Sequence, residues 1–184
     1  MITLVIGGSG SGKSAYAESL LEGYVGTKYY LATMQVYDEE GRQKVQRHRK
    51  LREGKGFCTI EQPYDLDRVK ERLAGKTCAL LLECVSNLAA NEMFRGNQPY
   101  APEIVAEKIT ADIISLSKEA EELVIVTVNV FEDGIVYDDS TMQYMQALAQ
   151  VNCGLAEMAD TVTEVVVGIP VSVKSEGKKQ RRIK

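Results

Sequence analysis

Residues 7 to 14 read Gly7-Gly8-Ser9-Gly10-Ser11-Gly12-Lys13-Ser14, directly behind the apolar run Ile2-Thr3-Leu4-Val5-Ile6. These types at this spacing suit a polyphosphate. Glycines leave backbone N–H groups bare, the following helix directs its positive dipole end at the same charge, Lys13 reaches the outer phosphates, and the Ser14 hydroxyl can ligate magnesium. A second candidate is Glu83, which ends the apolar run Cys78-Ala79-Leu80-Leu81-Leu82. An acid there holds magnesium, directly or through water, or orients the attacking hydroxyl; its plainer role is a helix N-terminal acid. The third is His48, the only histidine in the chain, set among Arg42, Lys44, Arg47, Arg49, Lys50, Arg52 and Lys55. A basic helix is ordinarily a solvated face and a lone histidine ordinarily structural. Beside a triphosphate, however, cations compensate charge, and a neutral imidazole can attack phosphorus and hold a nucleotidyl group.

Positioning these residues requires an alternation of strands and helices, which predicts a single-domain α/β phosphate-loop (P-loop) NTPase fold with a mostly parallel sheet flanked by helices. Strands are expected at Ile2–Ile6, Tyr29–Ala32, Phe57–Ile60, Cys78–Leu82, Leu123–Val128, Thr161–Val167 and Val171–Val173. Helices are expected over Ser14–Tyr24 and Asp38–Glu53, after Asp65 as a cap, through Val105, Ile109, Ile113, Leu116 and Ala120, and from Asp139 with Met145, Leu148, Asn152, Leu155 and Ala159 in one stripe. In an open parallel sheet, ligands sit beyond the carboxyl ends of the strands. That rule selects the phosphate loop, Ala32-Thr33-Met34-Gln35, Glu83 and Asn129. Asn152 either braces a neighbouring loop or faces the crevice, and bracing is the better reading of an amide in an apolar stripe.

A chain of 184 residues, 45% hydrophobic and 26% charged, has ordinary globular composition for one domain. No apolar run is long enough for a membrane span, and a cytoplasmic location is expected. Cys58, Cys78, Cys84 and Cys153 form no C-x-x-C pair, so reduced and mostly buried thiols are expected. From Lys174 onward, six of the 22 Lys and Arg residues stand against Glu176 alone, leaving the body more acidic than the overall charge of -4 implies. The division expected is a domain over residues 1–173 and a basic tail over 174–184, a solvated terminus rather than a nucleic-acid contact. No N-K-x-D element or arginine-rich lid is present, which disfavours a switch GTPase and a nucleoside monophosphate kinase.

Taken in order, several segments resemble the bifunctional adenosylcobinamide kinase / adenosylcobinamide-phosphate guanylyltransferase family of cobalamin biosynthesis. They are the phosphate loop, Tyr30-Leu31-Ala32-Thr33-Met34-Gln35, Val45-Gln46-Arg47-His48-Arg49, Thr59-Ile60-Glu61-Gln62-Pro63, Leu81-Leu82-Glu83-Cys84, Gly134-Ile135-Val136, Val151-Asn152 and Val166-Val167-Gly168-Ile169-Pro170. The resemblance runs from Met1 to about Lys174. It implies that His48 carries GMP as a phosphoramidate and that Lys13 and Glu83 assist catalysis. It implies nucleotide contacts from Gly7 to Ser14, Ala32, Thr33, Met34, Arg49, Lys50, Leu51, Arg52, Glu61 and Glu83, with Mg2+ at Ser14 and Glu83. Two reactions follow: phosphorylation of the aminopropanol hydroxyl of adenosylcobinamide by ATP or GTP, then transfer of GMP from GTP, giving adenosylcobinamide-GDP and pyrophosphate. A homotrimer is also implied.

The chain departs from that family between Val128 and Gln146. Val128-Asn129-Val130-Phe131-Glu132-Asp133 replaces N-E-V-G, Tyr137 replaces a proline, and Met142, Met145 and Gln146 occupy an R-x-x-R-D segment. A family tryptophan is replaced near Phe57-Cys58. Two other functions fit the loop alone: a phosphate-loop kinase for another small molecule, and a nucleotide-sensing binding protein.

Overall fold

The computed structural model describes residues 1–36, 39–73 and 77–175; the side chains at 40, 44, 47–49, 51 and 52 lie outside the described residues, as do Asp38 and the tail from 176 to 184. Seven strands form one sheet in the order β3-β2-β4-β5-β1-β6-β7. They are β1 (Ile2–Ile6), β2 (Thr27–Ala32), β3 (Phe57–Glu61), β4 (Cys78–Glu83), β5 (Glu122–Val126), β6 (Thr161–Val166) and β7 (Ile169–Lys174). All pair in parallel except β7, which turns back antiparallel on β6. The fold is therefore a single α/β sheet of the expected class.

The apolar strands are continuous because they feed two cores. Along β4, Cys78, Leu80 and Leu82 enter one core while Ala79 and Leu81 enter the other, and all five are buried. Period-two alternation makes this division unavoidable once helices cover both faces. The larger core lies beneath α3 (Lys70–Leu73), α4 (Val85–Met93), α5 (Pro102–Ser117) and α6 (Asp139–Met158), with Leu73, Leu88, Ile109, Leu148 and Leu155 in it. The smaller gathers Val5, Tyr30, Leu81 and Val126 against Ala17 and Leu21, from α1 (Lys13–Ser19) and the turn after it.

Four expectations are corrected. The first helix ends at Ser19 rather than Tyr24, because Leu21, Glu22 and Tyr24 donate their N–H groups three residues back and wind the chain into tight turns before Gly23 and Gly26. Helix α4 was not expected, although Val85, Leu88, Ala89 and Met93 are buried at helical spacing. Asp65 precedes a short 3-10 turn (Leu66–Val69) without a capping hydrogen bond. It has φ 54, and its carboxylate is taken by both terminal nitrogens of Arg95, at 2.8 and 3.1 Å. Cys58 and Cys153 are exposed, leaving Cys78 alone fully buried among the four thiols.

Lys174 belongs to the sheet. As the last residue of β7, it donates to the carbonyls of Ala156, Glu157 and Ala159 at the end of α6. A cation satisfying orphan carbonyls at the negative end of a helix stabilises that end.

Candidate active site

The phosphate loop lies where β1 meets α1, at the carboxyl edge of the parallel sheet. Gly12 holds φ 91, a left-handed conformation that lets the chain enter α1. Gly7 is sterically required: a Cβ there would meet Ser11 Oγ and the Val165 carbonyl oxygen at 2.6 Å. Lys13 is nearly buried and its Nζ donates to the Gly8 carbonyl at 2.9 Å, so the ammonium group spans the arch. Among the described residues, the Ser11 hydroxyl is the one buried side-chain polar atom without a hydrogen-bond partner. A loop with bare N–H groups, a spanning cation and an orphan hydroxyl fits a phosphate chain.

Glu83 ends β4, two strands away from β1. Its carboxylate nonetheless meets the loop: Ser14 Oγ donates to Oε1, and Tyr30 Oη donates to Oε2 at 2.8 Å. Tyr30 comes from β2 and is buried; its ring stands edge-on to Phe57, with centroids 6.4 Å apart. Ser14 and Glu83 present hard oxygens side by side, a donor set suited to Mg2+, which takes one or two protein ligands and completes its shell with phosphate and water.

The strand ends beside Glu83 are fixed by hydrogen bonds. Thr33 is fully buried; its hydroxyl donates to the Cys84 carbonyl and accepts from the Cys84 N–H, both at 2.8 Å. From α4, Asn91 Nδ2 donates to the carbonyls of Thr33 and Pro63 at 2.7 and 2.8 Å. The Thr33 side chain therefore braces the site. Burial pushes the Cys84 thiol up, holding it protonated at neutral pH.

Beyond these ends opens a cavity of about 410 Å³, bounded by Ala32, Met34, Glu61, Glu83 and Asn87 and, on its far side, by Arg42, Val45 and Gln46 of α2 (Glu39–Arg52). Expected contacts Ala32, Met34, Glu61 and Glu83 are thus brought together. Position 48 lies on the same helix α2 that supplies Val45 and Gln46 to the cavity wall. The side chains of His48, Arg49, Leu51 and Arg52 lie outside the described residues. Lys50 is exposed, and Lys55 is removed from the expected cationic set by its ion pair with the buried Glu18 of α1. Asn152 braces, accepting from Thr127 Oγ1 at 2.6 Å and donating to the Val128 carbonyl at 3.3 Å.

Sequence reasoning missed Tyr30 and Asn87. Tyr30 sits between core residues of β2, and its period-two alternation reads only as packing. A charged cluster behind the site was also missed: buried Glu92, with Asp65, Arg95, Lys108 and Asp112. Its members come from the residue before the 3-10 turn, from α4 and the segment just after it, and from α5, and only the fold assembles them.

Known proteins fix the relationship. A solved structure described as a prototypical ATPase from the type III secretion system of pathogenic bacteria superposes with a TM-score of 0.51 at 13% identity, over 93% of this chain and 56% of that one. It establishes the fold alone. The bifunctional adenosylcobalamin biosynthesis proteins CobU of Escherichia coli (strain K12) and Salmonella typhimurium (strain LT2) are each 31% identical over 183 residues, covering 95% of this chain and 100% of theirs. The bifunctional adenosylcobalamin biosynthesis protein CobP of Pseudomonas aeruginosa (strain PAO1) is 24% identical over 176 residues, covering 96% of this chain and 99% of its own. The sequence pattern described as cobinamide kinase / cobinamide phosphate guanyltransferase matches residues 3–173, and with the phosphate loop, Glu83 and the α2 cavity in one place, the chain belongs to that family.

Proposed function

We propose that this transferase phosphorylates adenosylcobinamide on its aminopropanol hydroxyl with ATP or GTP, and then transfers GMP from GTP through a GMP–His48 intermediate. The observation that carries the proposal is the joining of Ser14, Glu83 and Tyr30 at the phosphate loop, beside a cavity walled by the helix that bears His48.

In the first reaction, the acceptor oxygen bonds to the γ-phosphorus, the bond from that phosphorus to the β,γ-bridging oxygen breaks, nucleoside diphosphate leaves, and the hydroxyl proton passes to solvent. Lys13 exchanges the Gly8 carbonyl for phosphate oxygens, and the loop amides hold the remainder of the chain. In the second, a neutral imidazole nitrogen of His48 bonds to the α-phosphorus of GTP and pyrophosphate departs. The phosphate oxygen of the phosphorylated corrinoid then attacks the same phosphorus and releases the histidine. Dividing the transfer gives two in-line displacements, each with a good leaving group. Ser14 and Glu83 would hold Mg2+, which when bound supplies charge neutralisation to the phosphates. Glu83 keeps its second oxygen on Tyr30 throughout.

The family trimer is part of the proposal. Edge strand β7 exposes Ile169, Val171 and Val173, an apolar edge that neighbouring copies would cover. Transfer of label from γ-labelled ATP to adenosylcobinamide, abolished in Lys13→Ala, tests the kinase half; labelling of other small hydroxyl compounds but not cobinamide would replace the corrinoid with a different acceptor.

A further inference from the structure

Glu18 is a carboxylate that the proposed chemistry does not use, yet its side chain is only 6% exposed, on α1, the helix that opens with Lys13 and Ser14. Its ion-pair partner is Lys55, from the link between α2 and β3. Glu18 stands four residues after Ser14, so both lie on the same side of α1, one turn apart. A charge pair therefore ties the helix that bears the Ser14 hydroxyl to the chain leaving the helix that bears His48.

The composition of α2 offers little else to fix its place. Of its 14 residues only Val45 and Leu51 have apolar side chains, so it lacks the wide apolar stripe that seats a surface helix on a core. Its described ion pair, Arg42 with Glu39, lies within the helix. In the link that follows, residues 53 to 56, Gly54 has φ 81 and Gly56 has φ 75, which places Lys55 between the two most permissive positions of the turn. Among the described residues, Lys55 with Glu18 is the ion pair that carries this segment to the body of the fold.

For stability alone, a buried charge pair is a poor device. Desolvation offsets much of the attraction, and well-packed neutral side chains would serve as well. A geometric constraint is what the pair adds, because the ammonium group must stay at the carboxylate or leave a buried charge uncompensated. Position 48 is four residues before the helix end at Arg52, about 6 Å along the axis, so the pair acts on the near end of α2.

We propose that Glu18 and Lys55 are positioning residues for the step in which a nitrogen of His48 bonds to the α-phosphorus of GTP and pyrophosphate leaves. The pair holds the end of α2 against α1, so the helix carrying the nucleophile and the helix behind the phosphate loop keep one spacing. This inference rests on the His48 reading above and adds to it what sets the approach of that helix. The kinase step works through Lys13, Ser14 and Glu83 and does not depend on the pair.

Lys55→Met, and Lys55→Met combined with Glu18→Gln, test this in the full chain. Each is assayed for the single-turnover rate of protein labelling by α-labelled GTP, for γ-phosphoryl transfer to adenosylcobinamide, and for Tm. Lys55→Met should slow labelling about tenfold to a hundredfold, the scale of a nucleophile misplaced by a fraction of an ångström to one ångström, and should lower Tm because Glu18 is left buried without a partner. The double variant should recover Tm but not labelling, with γ-phosphoryl transfer unchanged, and Lys55→Arg, which keeps the charge, should label as the parent does. Recovery of labelling along with Tm in the double variant would make the pair structural only and overturn the inference, as would a loss shared equally by both reactions. A parent that transfers the γ-phosphoryl group but takes no label would overturn the His48 reading, and this inference with it; a labelled parent with unaffected variants overturns this inference alone.

Discussion

The least visible residue in the site is Tyr30. A phenol that donates to one oxygen of Glu83 leaves the other directed at Ser14, so the carboxylate is held in one orientation rather than rotating between two. In the proposed reaction Glu83 holds Mg2+ with Ser14, and Tyr30 acts through Glu83. Tyr30→Phe should keep the edge-on contact with Phe57 and the overall stability, yet lower kcat about tenfold and raise the Mg2+ concentration needed for half-maximal rate. Glu83→Gln should lower kcat about a hundredfold, the scale of removing one electrostatic group from a transition state. If Tyr30 works through Glu83, the double variant loses no more than Glu83→Gln alone; additive losses in kcat would place Tyr30 in a separate role.

Among the elements, the junction of α4, α5 and the 3-10 turn holds the charged cluster that supports the strand ends. Arg95 lies over the Tyr64 ring, 4.8 Å from its centroid, and grips Asp65; Lys108 meets Glu92 and Asp112 at 2.8 Å each. The Arg95 guanidinium, joined by Lys108, holds the Asp65 carboxyl down at about 2, below its ordinary 3.8. A depressed value means the contribution is full above about pH 4 and is lost as pH falls through 2. With Asp65 mostly shielded, its size is about 2 kcal/mol. Urea unfolding should therefore show Asp65→Asn less stable than the parent by that amount at pH 6, the gap closing between pH 4 and 2; a gap independent of pH would deny the ion pair its role.

The same elements show what the sequence could carry. Apolar runs and the helical spacing in α5 and α6 located the sheet and its cover because burial on two faces leaves no polar position to confuse the pattern. Helix α4 escaped because it follows β4 after Cys84 alone, so its first apolar residues merge with the strand's run. Asp65 looked like a cap because its type is right for one. Its conformation is set by Arg95 and Lys108, 30 and 43 positions away, and such distant partners leave no local signal. The phosphate loop and Glu83 were legible because strand ends in a parallel sheet define the crevice. Tyr30 and Asn87 were not, since β2 and α4 have to be in place before these side chains face it.

At the scale of the molecule, two cavities open at the carboxyl ends of the strands, one walled by helix α2 and the other by Gly8 to Ser11, Glu132, Asp133 and the β6–β7 turn. Among the described residues, no helix is long and apolar enough to cross a membrane. The exposed apolar edge of β7 should be covered by neighbouring copies. Sedimentation is expected to give a trimer, and Val171→Lys should shift it to smaller species; a parent that sediments as a monomer at micromolar concentration would remove the trimer from the account.

The claim that joins both reactions is that the chain cuts a triphosphate at its α-phosphorus using His48. Incubation with α-labelled GTP and magnesium, without corrinoid, tests it most directly. The account predicts a protein-bound label that is acid-labile and base-stable, absent in His48→Ala and discharged on addition of phosphorylated cobinamide. Label that persists in His48→Ala, or no label while γ-phosphoryl transfer proceeds, would contradict it.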